Sequence, residues 1–405
     1  MLAMAPCRCH ESAMSPPLSL PGAPAPFILL DDASAGGTGR ITLFRDPVDT
    51  IRADHMDEVL PALAQIEAAG ARGLHAAGYL SYAAGHAFEP RLADFGPRAG
   101  DEGPLLWFGL FEQAYGLAPH EVPALLPPPD PAAIGAVEPL ISRADYERAI
   151  NAVLGYIRAG DIYQANLTFP ALVALPGDPL AAYAAIRPHA AAGYGALVRH
   201  DGRHILSFSP ESFFSLAAGR IETRPMKGTA RRLADPAADA EAVATLAGDP
   251  KQRAENLMIV DLLRNDISRV TQPGSVRVPA LFRVESYPTI HQMISIVEGR
   301  LREGLGPVDV LRALFPCGSI TGAPKLRAME VIREVESAGR GVYTGSIGHI
   351  APDGTAQFNV AIRTISLEMG ERRGRLGLGS GIVADSQADA EWQECLDKAR
   401  FITAR

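Results

Sequence analysis

The residues most able to do chemistry lie at the two ends of one short stretch of the chain. Glu211 lies near its start in a Ser-Pro-Glu-Ser sequence, and Lys227 lies near its end, just before a glycine. Two apolar runs and a turn at Ala218-Gly219 separate them, which is typical of a β-hairpin that returns both ends to one side of a sheet. A carboxyl group and an amine held close together can divide acid and nucleophile roles. On these residues alone, a surface salt bridge is the simpler interpretation.

Three further carboxylates lie on two predicted helices. The segment Lys251–Val270 is apolar around most of its circumference, so Glu255 is expected at the edge of a core, where it needs a cation, a metal or hydrogen bonds. Glu391, Glu394 and Lys398 follow at steps of three and four, which places them on one helix face. The three carboxylates could surround a hard cation such as Mg²⁺. A dipole-stabilised Glu255 and a solvated Glu–Lys pair are the structural alternatives.

Two glycine-rich segments and one arginine suit a small anion. Residues 316–325 fail the P-loop pattern, but they form a hydroxyl-bearing loop that feeds a helix N-terminus, which favours anions. Residues 376–381 fail the dinucleotide pattern and still allow close approach of the backbone. Arg363 is predicted on a strand among apolar neighbours, where a buried arginine usually pairs with a carboxylate from the protein or a ligand.

Composition narrows the class of protein. The 405 residues are 47 % hydrophobic and 21 % charged, as in ordinary globular proteins. A net charge of −8 and the lack of a basic block argue against a nucleic-acid partner, and no apolar run is long enough for a membrane span. The four cysteines show neither zinc spacing nor a disulfide framework, which favours the cytoplasm.

The elements that must position these residues alternate between strands and helices. Short strand signals with hairpin turns and helices between them predict an α+β plan with a largely antiparallel sheet. Strands are predicted at residues 27–32, 41–44, 78–82, 105–111, 164–169, 195–199, 204–208, 342–350, 357–368 and 375–383. Helices are predicted at residues 55–69, 142–160, 179–187, 251–270 and 324–336, and from about residue 386. We divide the chain into a disordered tail or an extension upstream of the true start (1–26), an N-terminal subdomain (27–118), a proline-rich linker (119–140) and a catalytic domain (141–405), with which the N-terminal part packs as one unit.

Together the long motifs resemble the chorismate-utilising enzymes, from about Ser142 to the C-terminus. The matching segments are residues 251–266, Gly318–Lys325, Ala361–Thr364 and Gly379–Ser386. The N-terminal third is similar only loosely. The resemblance implies a two-lobed α/β sandwich of facing antiparallel sheets with helices outside. It also implies chorismate as substrate and Mg²⁺ as cofactor.

Within that family the chain resembles most the members that form aminodeoxychorismate. In them a lysine, here Lys227, is understood to attack chorismate at C2; the C4 hydroxyl leaves and ammonia enters at C4. Anthranilate-forming members typically carry alanine there. Water-using members carry a lysine at the position of Gln164, and glutamine cannot act as that base, so ammonia is the expected nucleophile. Anthranilate formation and a catalytically silent chorismate-binding scaffold are the alternative functions.

The remaining roles are implied residue by residue. Glu211 matches a general acid/base and His291 a histidine near the ring. Glu255 and Glu394 match Mg²⁺ ligands, and Glu391 matches one that acts through water. Gln252 stands where many members have a glutamate. The expected substrate contacts are Tyr343, Arg363, Gly379, Gly381, Ser319, Thr321, Lys398 and Gln164. A separate glutamine amidotransferase is the expected source of ammonia, because the chain has no Cys-His-Glu amidotransferase segment.

Overall fold

The computed structural model describes residues 18–34, 41–287 and 290–402. Most of the predicted tail, including Cys7 and Cys9, lies outside the described residues. The strands are β1 (Phe27–Asp31), β2 (Ile41–Arg45), β3 (Asp49–Ala53), β4 (His75–Leu80), β5 (Leu106–Phe111), β6 (Tyr115–Leu117), β7 (Val137–Pro139), β8 (Gln164–Ala174), β9 (Gly195–His200), β10 (Arg203–Ser207), β11 (Ser212–Ala217), β12 (Arg220–Thr223), β13 (Met226–Arg231), β14 (Arg277–Ser286), β15 (Ile290–Arg300), β16 (Gly322–Ala323), β17 (Ser346–Ile350), β18 (Ala356–Asn359), β19 (Thr364–Glu368) and β20 (Arg373–Ile382). The helices are α1 (Met56–Ala71), α2 (Val122–Leu125), α3 (Arg143–Ala159), α4 (Pro179–Ala190), α5 (Pro236–Gly248), α6 (Pro250–Ser268), α7 (Pro307–Leu314), α8 (Lys325–Val335) and α9 (Ala388–Lys398).

Two antiparallel sheets organise these elements. The first has the order β16-β8-β20-β19-β10-β9-β1-β2-β6, with β7 also paired to β8. The second has the order β13-β15-β12-β11-β18-β17-β4-β5-β3, with β14 also paired to β15. Buried apolar side chains form two clusters: a large one that includes the helices, and a smaller one built from strands of both sheets around Tyr79, Trp107 and Val198. The predicted α+β fold of two antiparallel sheets with helices is therefore confirmed.

Local sequence signals explain several element boundaries. The Ser142 side chain accepts a hydrogen bond from the Asp145 N–H at the start of α3, and Gly160 ends that helix with a φ of 83°. The predicted hairpin is present, because β11 pairs with β12 across the turn at Ala218-Gly219. No described helix is long and apolar enough to cross a membrane.

The predicted strand over residues 357–368 is wrong. The chain forms β18 in the second sheet, leaves it after Asn359, and enters the first sheet as β19 at Thr364. Arg363 lies at this crossing with a φ of 50°, which a strand residue does not adopt. The residues before and after the crossing are largely buried in both sheets. The apolar pattern in the sequence therefore shows no break where the chain changes sheets.

The proline-rich segment 119–140 contains α2 and β7, and β7 pairs with β8. Strands of residues 27–118 enter both sheets. The division of the chain into domains stays a prediction.

A buried ion pair ties the loop after α7 to β8 and α8. Arg340 and Glu336 are 2 % and 4 % exposed and are joined at 2.7 Å. Arg340 also donates to the carbonyl oxygens of Ile320 and Asn166, and the Thr168 N–H donates to Glu336. The pair therefore fixes the short helical turn Gly318–Ile320 against the first sheet.

We expect Arg340→Met to lower the free energy of unfolding by about 3–5 kcal/mol, because it leaves the Glu336 carboxylate buried without its cation. Urea unfolding followed by circular dichroism measures this. Arg220→Met is the control, because Arg220 is 59 % exposed beside Glu298 and the change should cost less than about 1 kcal/mol. Equal losses for the two variants would contradict the assignment.

Candidate active site

Lys227 lies on a β-bulge of β13. The partners across to β15 are Met226 with Ile294 and Thr229 with Gln292, so β13 advances three residues while β15 advances two. The extra residue falls at Lys227-Gly228, and Gly228 has a φ of 87°, which a glycine adopts without strain. A bulge changes the direction of the side chains at this point of the strand.

The Lys227 amine and the Gln164 side-chain amide both lie close to Gly381 on β20. A Cβ built on Gly381 would lie 3.4 Å from Lys227 Nζ and 3.2 Å from Gln164 Nε2. Gln164 is 1 % exposed, and neither its Nε2 nor its Oε1 has a hydrogen-bond partner within the described residues. An unpartnered buried amide is costly, so this place favours a ligand with polar groups.

Glu211 lies directly before β11 and is buried. Ser319 donates a hydrogen bond of 2.8 Å to its Oε1. Burial raises the pKa of Glu211 from its ordinary 4.5 to about 7, although the Ser319 hydroxyl and the charges of Lys227 and Lys398 act in the opposite direction. A carboxyl group with this pKa carries a proton in about half of the molecules near neutral pH, which suits a general acid.

The three carboxylates predicted to hold a metal lie on α6 and α9. Burial raises the pKa of the half-buried Glu255 and the neighbouring Glu394 raises it further, while Lys227 and Lys251 oppose this shift. The other two carboxylates have protein partners: Lys398 lies 2.7 Å from Glu394, and Ser386 donates to Glu391 at 2.7 Å.

These oxygen donors suit a hard divalent cation, and burial, the main cause of the raised pKa of Glu255, opposes an ionised carboxylate that a bound cation would stabilise. Across the described residues, no group of three or more His, Cys, Asp or Glu side chains is arranged to hold a metal ion. The donor chemistry therefore fits Mg²⁺, and the triad is not assembled.

Arg363 offers a cation without a protein anion. Burial lowers the pKa of its guanidinium, and among the described residues no side chain pairs with it. Tyr343 lies earlier in the chain and is also buried. Burial raises the pKa of its phenol well above the ordinary value, so the hydroxyl stays neutral and able to donate. A guanidinium in this state favours binding of a carboxylate ligand.

The other predicted substrate contacts divide into two groups. Ser319 bonds Glu211, and Lys398 Nζ donates to the Gly379 carbonyl at 2.8 Å, so both lie beside the Glu211 and β20 part of the site. Thr321 is fully buried, and its hydroxyl donates within its own turn, to the Cys317 carbonyl at 3.0 Å.

His291 has two side-chain partners. Its Nδ1 lies 2.8 Å from the Ser286 hydroxyl, and its Nε2 lies 2.8 Å from the Asp239 carboxylate on α5. Both ring nitrogens are thus engaged by the protein, and its expected place beside the substrate ring stays a prediction. The hydrogen bond from the Leu233 N–H, together with those from His291 and Arg232, lowers the pKa of Asp239 to about 2.

The sequence prediction missed the next residue, Gln292. Its Nε2 donates to the Gly228 carbonyl at 2.8 Å, and its Oε1 accepts from Thr229 at 2.9 Å. No local sequence pattern marks this residue, because its contacts follow from the irregular pairing of β13 with β15.

Comparison with known proteins identifies the family of the chain. A family model described as chorismate binding enzyme matches residues 25–404. The chain belongs to the chorismate binding enzyme family. Aminodeoxychorismate synthase component 1 of Klebsiella aerogenes is 47 % identical over 262 residues, which is 65 % of this chain and 58 % of that protein. Anthranilate synthase component 1 1 of Haloarcula marismortui is 42 % identical over 261 residues, which is 64 % of this chain and 53 % of that protein.

The solved anthranilate synthase component I of Streptococcus pneumoniae TIGR4 is 26 % identical and superposes with a TM-score of 0.77, covering 99 % of this chain and 100 % of that chain. The family fold therefore extends through the N-terminal third. The chain spans little more than half the length of the two curated relatives.

We expect this chorismate binding enzyme to lose stability as the pH rises from about 4.5 to about 7. Over this range folded Glu211 keeps a proton that the unfolded chain has lost, so the free energy of unfolding falls by up to about 3 kcal/mol. Urea unfolding at pH 4.5 and pH 8 measures the change. Glu211→Gln should lack this part of the pH dependence; the same dependence in both proteins would contradict the raised pKa.

Proposed function

We propose that this chain is the chorismate-converting component of an aminodeoxychorismate synthase. It would replace the C4 hydroxyl of chorismate with an amino group from ammonia and so supply p-aminobenzoate and folate synthesis. The proposal rests on one observation: the Lys227 amine and the unpartnered Gln164 amide both lie close to Gly381. The name of the Klebsiella aerogenes relative supports it.

In the first step, Lys227, after losing a proton to solvent, adds its amine to C2 of the ring and forms a C–N bond. Both conjugated double bonds of the ring shift, and the C4–O bond breaks. The departing oxygen takes the proton of the Glu211 carboxylic acid and leaves as water. A pKa near 7 supports this role for Glu211, because the group can give up its proton and regain it at neutral pH.

In the second step, ammonia adds to C4, both ring double bonds shift back, and the C2–N bond breaks to release Lys227 as a neutral amine. The new ammonium group at C4 returns a proton to the Glu211 carboxylate, which restores the enzyme. Each step is a covalent exchange in which the lysine divides one difficult substitution into two easier ones.

Arg363, the glycines of β20 and a bound Mg²⁺ would orient the substrate. The unpaired Arg363 guanidinium would bind one substrate carboxylate together with Tyr343, and the backbone at Gly379 and Gly381 would contact the substrate. Glu255 and Glu394 would hold Mg²⁺ directly and Glu391 through water, and the ion would neutralise a substrate carboxylate.

Ammonia rather than water is the proposed nucleophile, because the Gln164 amide cannot remove a proton from water. A separate glutamine amidotransferase is the proposed source of the ammonia. The cytoplasm is the proposed compartment, and the buried free thiols of Cys317 and Cys395 support it.

We expect Lys227→Ala to reduce aminodeoxychorismate formation from chorismate, Mg²⁺ and ammonium by about 10³-fold or more, because it removes the covalent nucleophile. Mass spectrometry of the products measures this. In the unmodified protein, an acid-quenched reaction should also yield an adduct on Lys227. The chain has only four lysines, so the adduct is assigned without ambiguity.

Lys251→Ala is the matched control, because this exposed amine pairs with Asp385. It should keep activity within about five-fold. Full activity of Lys227→Ala would overturn the nucleophile role. Anthranilate and pyruvate as the products would favour anthranilate synthase, as the Haloarcula relative is named. Chorismate binding without turnover would favour a scaffold.

We expect Glu255→Gln and Glu394→Gln to weaken Mg²⁺ binding by about ten-fold or more each, because each loses a charged oxygen ligand. Isothermal titration of Mg²⁺ into the chorismate-bound protein measures this. Glu303→Gln, at an exposed turn, is the control. Unchanged Mg²⁺ affinity in both site variants would exclude these ligands.

A further inference from the structure

The backbone at the Lys227 bulge is held by one side chain of the neighbouring strand. At a bulge the extra residue leaves the regular ladder, and its carbonyl needs another donor. The Gly228 carbonyl receives this bond from Gln292 Nε2 at 2.8 Å. Thr229 donates to Gln292 Oε1 at 2.9 Å and so fixes which end of the amide faces the carbonyl.

The surroundings of this contact leave the bulge little freedom. Gln292 is 8 % exposed, so water competes weakly for its bonds. On α6, Gln252 closes the other side, since a Cβ on Gly228 would lie 3.0 Å from its Oε1. Before the bulge, the Pro225 carbonyl accepts from the Ser295 N–H at 3.1 Å. The backbone is thus anchored on both sides of Lys227.

We propose that Gln292 is a positioning residue for Lys227: its amide fixes the bulge so that the lysine amine points at Gly381. The inference rests on the proposed function for its kinetic readout. Gln292 acts through the backbone, not on the substrate, so its loss should change the rate of the covalent step more than substrate binding. Misplacing a reacting group by about 1 Å costs about 10²-fold in rate.

Gln292→Glu tests this, because it keeps the size of the side chain and its acceptance from Thr229 but removes the donor to Gly228. We expect kcat to fall by about 10²-fold while the KM for chorismate changes by less than about two-fold. Hydrogen exchange at residues 226–230 should become about ten-fold faster. Thr229→Val should act in the same direction, and Thr229→Ser should restore both values.

Unchanged kcat in Gln292→Glu, or equal changes in kcat and KM with unaltered exchange at residues 226–230, would overturn the inference. Exchange is measured without substrate, so it also decides the question if the unmodified protein forms no aminodeoxychorismate. In that case the proposed function fails, and faster exchange in Gln292→Glu still supports the inference that Gln292 fixes the backbone of the bulge.

Discussion

The chemistry of this site depends on the removal of one carboxyl group from water. Glu211 is buried beside a hydroxyl donor, and two lysines only partly offset the cost of ionising it. If Glu211 were exposed, it would be ionised at neutral pH and would have no proton for a departing oxygen. The hairpin, the turn Gly318–Ile320 and the crossing to β19 all keep this carboxyl group away from solvent. The pKa of Glu211 is thus raised by the packing of several separate segments of the chain around it.

Charge is distributed across the site in a consistent way. Arg363 has no anionic side-chain partner among the described residues, and the charge of Lys227 acts on both Glu211 and Glu255. A buried guanidinium without an anion costs free energy. A bound carboxylate would compensate it. The protein alone therefore compensates the charged groups of the site only partly, and a bound anionic ligand would complete the compensation.

Much of the fold could be predicted from the sequence, and the structure brings Glu211, Lys227 and Gln164 to one region, while the roles predicted for the site residues stay predictions. The Glu211–Lys227 hairpin has strong turn and strand signals, and the motifs on α6, α9 and β20 are long enough to place their residues. Arg363 was misplaced because its apolar neighbours continue through the change of sheet, and periodicity carries no information on which sheet a strand joins. Gln292 was missed because its role depends on a bulge, which arises from pairing between strands and leaves no local sequence pattern.

The crossing between β18 and β19 has a consequence for how substitutions far from the site would act. Arg363 belongs to neither sheet and lies on the short segment that joins them, so its position depends on how the two layers pack. Removing a large side chain from the shared interior lets the layers approach and draws the guanidinium with them. Such a substitution also leaves a cavity that costs about 2–5 kcal/mol of stability, so weaker binding of an anion and a loss of stability are expected together.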